Sequence, residues 1–308
     1  MINAKTEDGY HIKMPRSFNG YLFKEIVGSG SSSIVCLVEC ENTGELRSAK
    51  IIPQKYIKDR KLKRQIDTEI SVMQKIDHSN IVKFHESFVY TNDSNDSYAI
   101  IVMEYCENGD LFNYVLNDSN GFDKDPKKNS ILNGIISAIK YLHSLGIAHG
   151  DIKPENVLLD SNFNSKLSDF GYCKTEKIVG DESKNGSLHY AAPELLAKGY
   201  FDPLKADIWA IGILLFCLSQ KSFPYKGNSP QYIIHQIIHK KIHFHSSAPR
   251  KLRNVVELCT QLKPSDRPSI NELAYNDYFY DDCEKEDHFA IDIFDCFSNE
   301  NDQFWSNV

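Results

Sequence analysis

The chain has 308 residues, enough for one large or two small domains, and its 41% hydrophobic and 25% charged residues are ordinary for a soluble globular protein. The net charge of -7 is uneven, because residues 277–308 hold ten Asp or Glu and one Lys, which gives this segment -9 and the remainder +2. A near-neutral body offers no basic surface for nucleic acid, and the acidic segment would be repelled by anionic lipid. We therefore expect neither nucleic acid nor a membrane as a partner.

The N-terminal and cysteine patterns indicate a reduced compartment. The first ten residues, MINAKTEDGY, lack the apolar core of a signal peptide, and eight cysteines are scattered without a CxxC pair. The longest apolar run, 208–218, is too short to span a bilayer and suits a buried helix. We expect a cytoplasmic protein, with nuclear access left open.

Hydrophobic periodicity divides the chain into two parts. Residues 1–18 are polar and aperiodic, and short β-like runs follow from Tyr21 to about Met103, interrupted by one helical pattern at 59–76. Helical patterns dominate the remainder of the chain. This order predicts an α+β protein of two lobes, joined by a short connector near 104–109.

The first stretch that suggests chemistry is 26–35, IVGSGSSSIV, in which two glycines and four serines lie between β-like runs. Such a turn exposes backbone N–H groups and leaves room for a phosphate chain, although a glycine pair between strands is often only a hairpin. A dinucleotide-binding fold would continue from these glycines into a helix. Residues 34–40, IVCLVEC, continue as a strand, which excludes that alternative.

Lys50 stands within the next β-like run, and Glu69 lies on the helical stretch that follows it. A lysine in a strand is often an exposed residue, and that alternative holds for Lys50 taken by itself. A lysine whose ammonium is held by a glutamate is, however, what the polarisation of nucleotide phosphates requires.

The stretch 147–156, IAHGDIKPEN, gathers several reactive side chains. Asp151 can accept a hydroxyl proton, Lys153 can neutralise a transferring phosphoryl group, and Asn156 can ligate a metal. Asp169, in the DFG sequence that follows, adds a second metal-ligating group. Magnesium prefers oxygen ligands from one or two protein groups together with substrate phosphates, which this set supplies.

Together these motifs resemble a serine/threonine-type eukaryotic protein kinase over roughly residues 20–280. Three further motifs fall in family order: AAPE at 191–194, DIWAIG at 207–212, and Arg267 in SDRPS. The overall pattern is similar to the calcium/calmodulin-dependent and AMP-activated-kinase-like group. The resemblance implies a two-lobed α+β kinase fold, with a small, mainly antiparallel β lobe carrying one helix and a larger, mainly helical lobe.

The resemblance also implies domain boundaries. The predicted units are an N-terminal extension (1–18), a kinase domain (19–280) and an acidic C-terminal tail (281–308). Within the kinase domain, we expect the N-lobe at 19–104, the hinge at 105–109 and the C-lobe at 110–280.

The resemblance further implies ATP and Mg²⁺ as cofactors and assigns roles to residues. Asp151 would be the catalytic base, Lys153 would contact the γ-phosphate, and Asn156 and Asp169 would hold the metal. The predicted nucleotide-binding residues are Val27, Gly28, Ser29, Gly30, Ser31, Ser32, Ser33, Val35, Lys50, Glu69, Glu104, Cys106, Asp110, Asn156, Leu158 and Asp169.

Supporting residues follow from the same resemblance. Glu194 should pair with Arg267, and Asp207 should accept hydrogen bonds from the backbone around His149. Four side chains should stack between the lobes, which makes His149 a packing residue and not a proton carrier. These four are Met73, Phe84, His149 and Phe170.

The chain departs from the family at Gly150, where most serine/threonine kinases carry an Arg that grips a phosphate on the activation loop. Lys174, a second member of that cationic pocket, is present, and Ser183 matches the usual phosphorylation site. Because glycine cannot grip a phosphate, we expect activity to depend little on phosphorylation of Ser183. The alternative is a nucleotide-binding pseudokinase or scaffold, supported by Gly150 alone.

Smaller departures concern nucleotide and substrate. Ser33 replaces the third glycine of the loop, and Ser48 replaces the alanine expected against the adenine. We expect protein substrates phosphorylated on Ser or Thr, with a preference for upstream Arg or Lys received by Asp110 and Glu155. Cys217 occupies a further position that is acidic in strongly basophilic kinases.

Two features have plainer alternatives. His235, His239, His243 and His245 tempt a metal assignment, but surface histidines are the favoured interpretation, since no Cys or paired carboxylate joins them. The tail at 281–308 is acidic, whereas calmodulin targets are basic amphipathic helices, so we do not expect it to bind calmodulin. We interpret the tail as a solvated extension. The alternative is that its aromatic residues dock on the kinase domain or on a partner.

Overall fold

The computed structural model describes residues 2–175, 178–179, 187–196 and 200–280. The strands are β1 (Ile2–Lys5), β2 (His11–Met14), β3 (Ser17–Phe18), β4 (Tyr21–Ser29), β5 (Ile34–Cys40), β6 (Leu46–Pro53), β7 (Phe84–Thr91), β8 (Ser97–Glu104), β9 (Val157–Leu159), β10 (Ser165–Leu167), β11 (Ile178–Val179) and β12 (Tyr200–Phe201). The helices are α1 (Gln54–Ile57), α2 (Arg60–Met73), α3 (Leu111–Asn117), α4 (Lys128–Ser144), α5 (Pro193–Leu196), α6 (Pro203–Gln220), α7 (Pro230–His239), α8 (Arg250–Cys259) and α9 (Ile270–Ala274).

The first lobe is built on an antiparallel six-stranded sheet in the order β3-β4-β5-β6-β8-β7. Its strands are rich in β-branched and aromatic residues, which pack well on a pleated surface. Because side chains alternate along a strand, Ala49 and Ile51 of β6 enter an apolar cluster on one face, and Ser48 and Lys50 lie on the other. The second face therefore presents polar groups to the site.

Helix α2 carries Glu69 towards this polar face. Asp59 caps its N-terminus by accepting hydrogen bonds from the amides of Lys61 and Leu62, both at 2.9 Å. Its buried residues, Glu69, Val72 and Met73, lie three and four positions apart and so share one face. This face packs against the turn Phe170–Tyr172, which directly follows Asp169.

The N-terminal segment is a β-hairpin, which the polar and aperiodic sequence of residues 1–18 did not indicate. Strands β1 and β2 pair antiparallel, with Lys5 opposite His11. Ile12 and Met14 are fully buried in the same apolar cluster as Ile51. The alternation in β2 lasts only four residues, too short to distinguish a strand by periodicity, and the sheet supplies the apolar face that stabilises it.

The second lobe is mainly helical, with α6 at its centre. Asp202 caps α6, Pro203 occupies the first turn, and most of the helix is buried, including Trp209 and Ile211. By length and composition α6 is apolar enough to cross a membrane, yet 72% of it is buried inside the described structure. It is therefore the core helix predicted from the run at 208–218.

An apolar cluster connects the lobes. It contains Met73 of α2 and Phe170, with Phe84 of β7 packed against it. His149 is fully buried and meets the Phe170 ring edge-on, with the ring centroids 5.3 Å apart. The predicted contact between His149 and Phe170 is confirmed, and Met73 and Phe84 belong to the same apolar region. The predicted two-lobed α+β architecture is confirmed.

Candidate active site

Lys50 of β6 is joined to Glu69 of α2. Its ammonium lies 2.7 and 2.8 Å from the two carboxylate oxygens of Glu69 and 3.7 Å from Oδ1 of Asp169. Burial alone would lower the pKa of Lys50, but the negative charges of Glu69 and Asp169 outweigh burial and raise it. Lys50 therefore stays a cation at the point where phosphates would lie.

The two carboxylates beside Lys50 differ in their electrostatics. The charge of Lys50 lowers the pKa of Asp169 below its ordinary value, so that this carboxylate is kept ionised. Burial raises the pKa of Glu69, with the charge of Lys50 opposing the rise. The backbone of Asp169 is left-handed, with φ +63° and ψ +77°, and its neighbour Phe170 is buried.

The glycine-rich turn lies between β4 and β5, where Gly28 faces Val35 across the ladder. The Gly30 N–H donates to the Ser33 carbonyl at 2.8 Å, which closes the tip of the turn. The ladder places this turn at the end of the sheet that also carries Lys50, since Val35 is the neighbour of Lys50 in the register of β5 and β6. The predicted phosphate-binding residues and Lys50 are thus brought together.

The hinge begins where β8 ends at Glu104. The Ser48 hydroxyl donates to the Glu104 carbonyl at 2.9 Å, a contact that the usual alanine could not make. Cys106 is buried, and burial raises the pKa of its thiol to about 12, which makes it a packing residue and not a reactive one. Met103, near the end of β8, is buried beside Ser48 in the β6–β8 ladder.

Asp110, which follows the hinge, and Leu158 of β9 lie side by side in an antiparallel β-bridge. The Leu159 N–H donates to the Gly109 carbonyl at 2.8 Å. Both carboxylate oxygens of Asp110 accept hydrogen bonds from Asn113, at 2.7 and 2.8 Å, because Asp110 caps α3. Its predicted contact with the nucleotide would therefore use lone pairs that Asn113 leaves over.

The loop between α4 and β9 gathers the residues predicted for catalysis. Asp151 is buried, and its Oδ2 accepts from the Lys153 ammonium at 2.6 Å and from the Asn156 amide at 3.0 Å. Its Oδ1 accepts from the Ser187 N–H at 3.3 Å, and Lys153 also donates to the Ser187 hydroxyl at 3.2 Å. Burial lowers the pKa of Lys153, but Asp151 outweighs burial and raises it, so Lys153 stays a cation.

Asp207 of α6 holds this loop in place, as predicted. Its carboxylate accepts from the His149 N–H at 2.8 Å and from the Gly150 N–H at 2.9 Å. The imidazole of His143 lies 2.9 Å from the same carboxylate, a third partner that the sequence did not indicate. His143 lies in the last turn of α4, where its proximity to Asp207 depends on how two helices pack.

Gly150 has a positive φ of +80°, and a Cβ built on it would lie 2.5 Å from the Tyr172 carbonyl oxygen. Hydrogen bonds between Ala148 and Lys174, at 2.8 and 3.0 Å, bring the Tyr172–Lys174 segment over the loop. An arginine at this position would therefore require the neighbouring backbone to shift, because its Cβ would collide with the Tyr172 carbonyl oxygen. Ser183, the predicted phosphorylation site, lies outside the described residues.

The residues predicted to hold magnesium fit that ion by the chemistry of their donors. Asp169 offers an ionised carboxylate, and the Asn156 amide nitrogen already binds Asp151, which leaves its carbonyl oxygen as the remaining ligand group. Elsewhere in the described chain, no group of three His, Cys, Asp or Glu could hold a metal ion. The rings of His235 and His239 stand 4.5 Å apart on α7 without further ligands of that kind.

Arg267 and Glu194 form the predicted buried ion pair. The guanidinium donates to both carboxylate oxygens of Glu194, at 2.6 and 2.7 Å, and also to the carbonyls of Lys205 and Gln261. It lies 5.1 Å from the Trp209 ring and is fully screened from solvent. The pair connects the segment after the activation loop to the base of the second lobe.

Comparison with known proteins agrees with this geometry. The family model described as "Protein kinase domain" matches residues 21–279. CBL-interacting protein kinase 9 of Oryza sativa subsp. japonica is 30% identical over 272 residues, which cover 85% of this chain and 57% of that protein. CBL-interacting serine/threonine-protein kinase 26 of Arabidopsis thaliana is 30% identical over 272 residues, which cover 87% of this chain and 60% of that protein.

A third relative, 3-phosphoinositide-dependent protein kinase B of Dictyostelium discoideum, is 32% identical over 271 residues, which cover 86% of this chain and 29% of that protein. The chain thus spans less than two thirds of each of these relatives. The family match covers both lobes and every residue of the site described above. The chain belongs to the eukaryotic protein kinase superfamily.

Proposed function

We propose that the chain is an active serine/threonine protein kinase that transfers the γ-phosphate of ATP to Ser or Thr hydroxyls of proteins. The observation that carries this proposal is the assembled loop around Asp151, in which the carboxylate is held by Lys153 and Asn156 within one hydrogen-bonded cluster. The three relatives are kinases by name, which supports the same reaction type.

Each polar group has a role in positioned phosphoryl transfer. Lys50, held by Glu69, would bind the non-transferred phosphates, and Asp151 would orient the acceptor hydroxyl and take its proton. Lys153 would neutralise charge on the transferring group. Asn156 and Asp169 would hold Mg²⁺, which supplies charge neutralisation of the phosphates when it is bound.

Phosphate transfer to synthetic peptides tests the proposal directly. We expect wild type to label a Ser peptide carrying an upstream Arg, and Asp151→Asn to lose at least about a hundredfold of that rate, since a general base contributes about 10²–10⁴-fold. Asp67→Asn, an exposed carboxylate on α2, is the matched control and should label as wild type.

The same experiment separates the alternatives. A wild type no faster than Asp151→Asn would favour the pseudokinase, whose structural support is Gly150. A peptide with acidic residues upstream, labelled faster than the Arg peptide, would contradict the proposed basic preference. Exposed Glu155 supports that preference better than Asp110, because Asn113 engages both oxygens of Asp110.

We further propose that activity depends little on phosphorylation of Ser183. The absence of a side chain at Gly150 supports this, together with the close approach of the Tyr172 carbonyl. Ser183→Ala should retain activity within about threefold, a change of less than 1 kcal/mol in the barrier. Loss of activity in Ser183→Ala with recovery in Ser183→Asp would contradict the proposal.

We also propose that the kinase unit spans residues 19–280, with 1–18 preceding it and the acidic segment 281–308 following it. A cytoplasmic location is supported by the scattered cysteines, and the six of them in the described residues are free thiols. The acidic segment, and its proposed lack of calmodulin binding, lie outside the described residues.

A further inference from the structure

The N-terminal hairpin lies on the face of the sheet opposite to Lys50. Ile12 and Met14 of β2 share an apolar cluster with Ala49 and Ile51, the residues on either side of Lys50 in β6. Because side chains alternate along a strand, this cluster is on the back of the sheet that presents Lys50 to the site. The hairpin thus supports the nucleotide lobe from behind.

The turn of this hairpin reaches the glycine-rich turn by two hydrogen bonds. The Glu7 N–H donates to the Gly30 carbonyl at 3.1 Å, and the Ser29 hydroxyl donates to the Lys5 carbonyl at 3.3 Å. The Gly30 carbonyl and the Ser29 hydroxyl, which make these bonds, belong to residues predicted to surround the phosphates. The contact therefore falls on the end of β4 and on the tip of the turn that follows it.

The hairpin turn is itself anchored to the segment before α2. The carboxylate of Asp8 lies 3.2 Å from the Lys55 ammonium, and the Thr6 hydroxyl lies 3.4 Å from the Tyr56 hydroxyl. The Lys55 ammonium also stands 4.4 Å from the centre of the Tyr10 ring. These contacts hold the turn against α1, so Glu7 is presented to Gly30 from a supported position.

The consequence follows from the planarity of the peptide unit. The Gly30 carbonyl and the Ser31 N–H belong to one trans peptide, in which the two groups point in opposite directions. A hydrogen bond that draws the Gly30 carbonyl to Glu7 therefore directs the Ser31 N–H away from the hairpin. Glycine at position 30 allows the peptide to rotate freely, and the bond to Glu7 removes part of that freedom.

We propose that the N-terminal hairpin is a positioning element of the nucleotide site, in which the Glu7 N–H holds the Gly30 carbonyl and so presents the Ser31 amide to the phosphates of a nucleoside di- or triphosphate. This inference rests on the proposed function, because it requires that a nucleotide bind at the glycine-rich turn. The contribution belongs to the backbone of Glu7, and the hairpin acts through the turn without touching the reacting atoms.

The test compares Glu7→Pro with Glu7→Ala. Glu7 is the second residue of a turn closed by the Gly9 N–H and the Thr6 carbonyl at 2.9 Å, a position that favours proline. Proline removes the N–H, whereas alanine retains it, so the pair isolates one hydrogen bond. We expect Glu7→Pro to weaken ADP binding about two- to tenfold, the range of one net hydrogen bond, and Glu7→Ala to bind as wild type.

Adenosine binding distinguishes an effect on phosphate binding from a general structural defect. It lacks phosphates, so its affinity should be equal in wild type, Glu7→Pro and Glu7→Ala. Amide hydrogen exchange in the nucleotide-free protein should also become faster at residues 28–33 in Glu7→Pro alone. Equal loss of ADP and adenosine affinity, or unchanged ADP affinity and exchange in Glu7→Pro, would overturn the inference.

Two further results keep the inference separate from the proposed function. A wild type that binds no ADP would contradict both, whereas a wild type that binds ADP equally to Glu7→Pro would contradict the inference alone. Should Glu7→Pro not fold, Lys55→Gln removes the anchor of Asp8 at a distance from the turn. It should weaken ADP about two- to fivefold with adenosine unchanged, and wild-type ADP affinity in Lys55→Gln would overturn the inference.

Discussion

At the scale of single residues, two glycines of similar φ distinguish two costs of adding a side chain. One cost is backbone strain, and the other is a steric clash with neighbouring atoms. Gly150 has a φ of +80°, and a Cβ there would lie 2.5 Å from the Tyr172 carbonyl oxygen. Gly146, which follows α4, has a φ of +69° with nothing within 4 Å of a built Cβ. Both positions penalise a side chain through φ, but only Gly150 also requires neighbouring backbone to move.

We expect Gly150→Ala to lower the free energy of unfolding by about 2–5 kcal/mol, from left-handed strain of about 1–2 kcal/mol and overpacking of about 1–3 kcal/mol. Gly146→Ala is the matched control and should lose about 1–2 kcal/mol. Urea unfolding of the two variants measures the difference. Equal losses would show that the Tyr172 carbonyl yields without cost, and arginine could then be restored at position 150.

At the scale of elements, the loop between α2 and β7 fastens the first lobe to the second. The Asn80 side chain donates to the Ser165 carbonyl at 3.0 Å, and the Leu167 N–H donates to the Asn80 carbonyl at 2.8 Å. Nδ1 of His78 accepts from the Asn80 N–H at 3.1 Å, which places the proton of the neutral ring on Nε2, beside the Ser137 hydroxyl.

This arrangement makes the loop sensitive to pH. Burial lowers the pKa of His78 below 6.5, Lys166 lowers it further, and Asp77 opposes the change. A histidine whose folded pKa is lowered stabilises the fold above its unfolded pKa. That stability is lost as the pH falls from about 6.5 towards the folded pKa, because the unfolded chain binds the proton more readily.

We expect the free energy of unfolding of wild type to fall, relative to that of His78→Asn, as the pH is lowered from about 7.5 to about 5.5. Asparagine does not titrate, and its side-chain oxygen can accept the hydrogen bond from the Asn80 N–H. Chemical unfolding at several pH values measures the difference. A constant difference between the two proteins across this range would contradict the assignment.

At the scale of the whole molecule, the ion pair of Arg267 and Glu194 joins parts of the second lobe that are far apart in the chain. Arg267→Met would leave Glu194 and the carbonyls of Lys205 and Gln261 without their donor. We expect a loss of about 3–5 kcal/mol in the free energy of unfolding, because a partly buried charge then lacks its partner. Thermal and urea unfolding measure this loss.

An exposed ion pair provides the control for Arg267→Met. Lys63 and Asp67 lie 2.6 Å apart on α2, and both side chains are more than half exposed. Lys63→Met should change the free energy of unfolding by less than about 0.5 kcal/mol, as is usual for exposed pairs in helices. Comparable losses in Lys63→Met and Arg267→Met would mean that burial does not increase the contribution of the Arg267–Glu194 pair to stability.

Much of the site could be predicted because its residues occur in short motifs whose spacing sets their proximity. Asp151, Lys153 and Asn156 lie within six positions, so a single loop brings them together whatever surrounds it. Asp169 and Lys50 are distant in sequence, and the resemblance to kinases, together with the requirement that phosphates meet cations, placed them in one site. Their distance of 3.7 Å agrees with that prediction.

Other contacts depend on packing between elements and had no local signal. His143 reaches Asp207 because the last turn of α4 approaches α6 at that residue, and Ser48 reaches the Glu104 carbonyl because β6 pairs with β8. The left-handed backbone of Gly150 is equally hidden, since a glycine is compatible with either sign of φ. Such features depend on how two separate elements pack together, which no single stretch of sequence encodes.

The sequence by itself determined the kinase motifs, their order and the two-lobed α+β division, because short-range spacing and periodicity carry that information. Only the tertiary structure decided that the N-terminal segment is a hairpin seated behind Lys50 and bonded to Gly30. The physical reason is that a four-residue strand has little stability of its own. Its conformation comes from the sheet that covers Ile12 and Met14, and that sheet is formed by residues far along the chain.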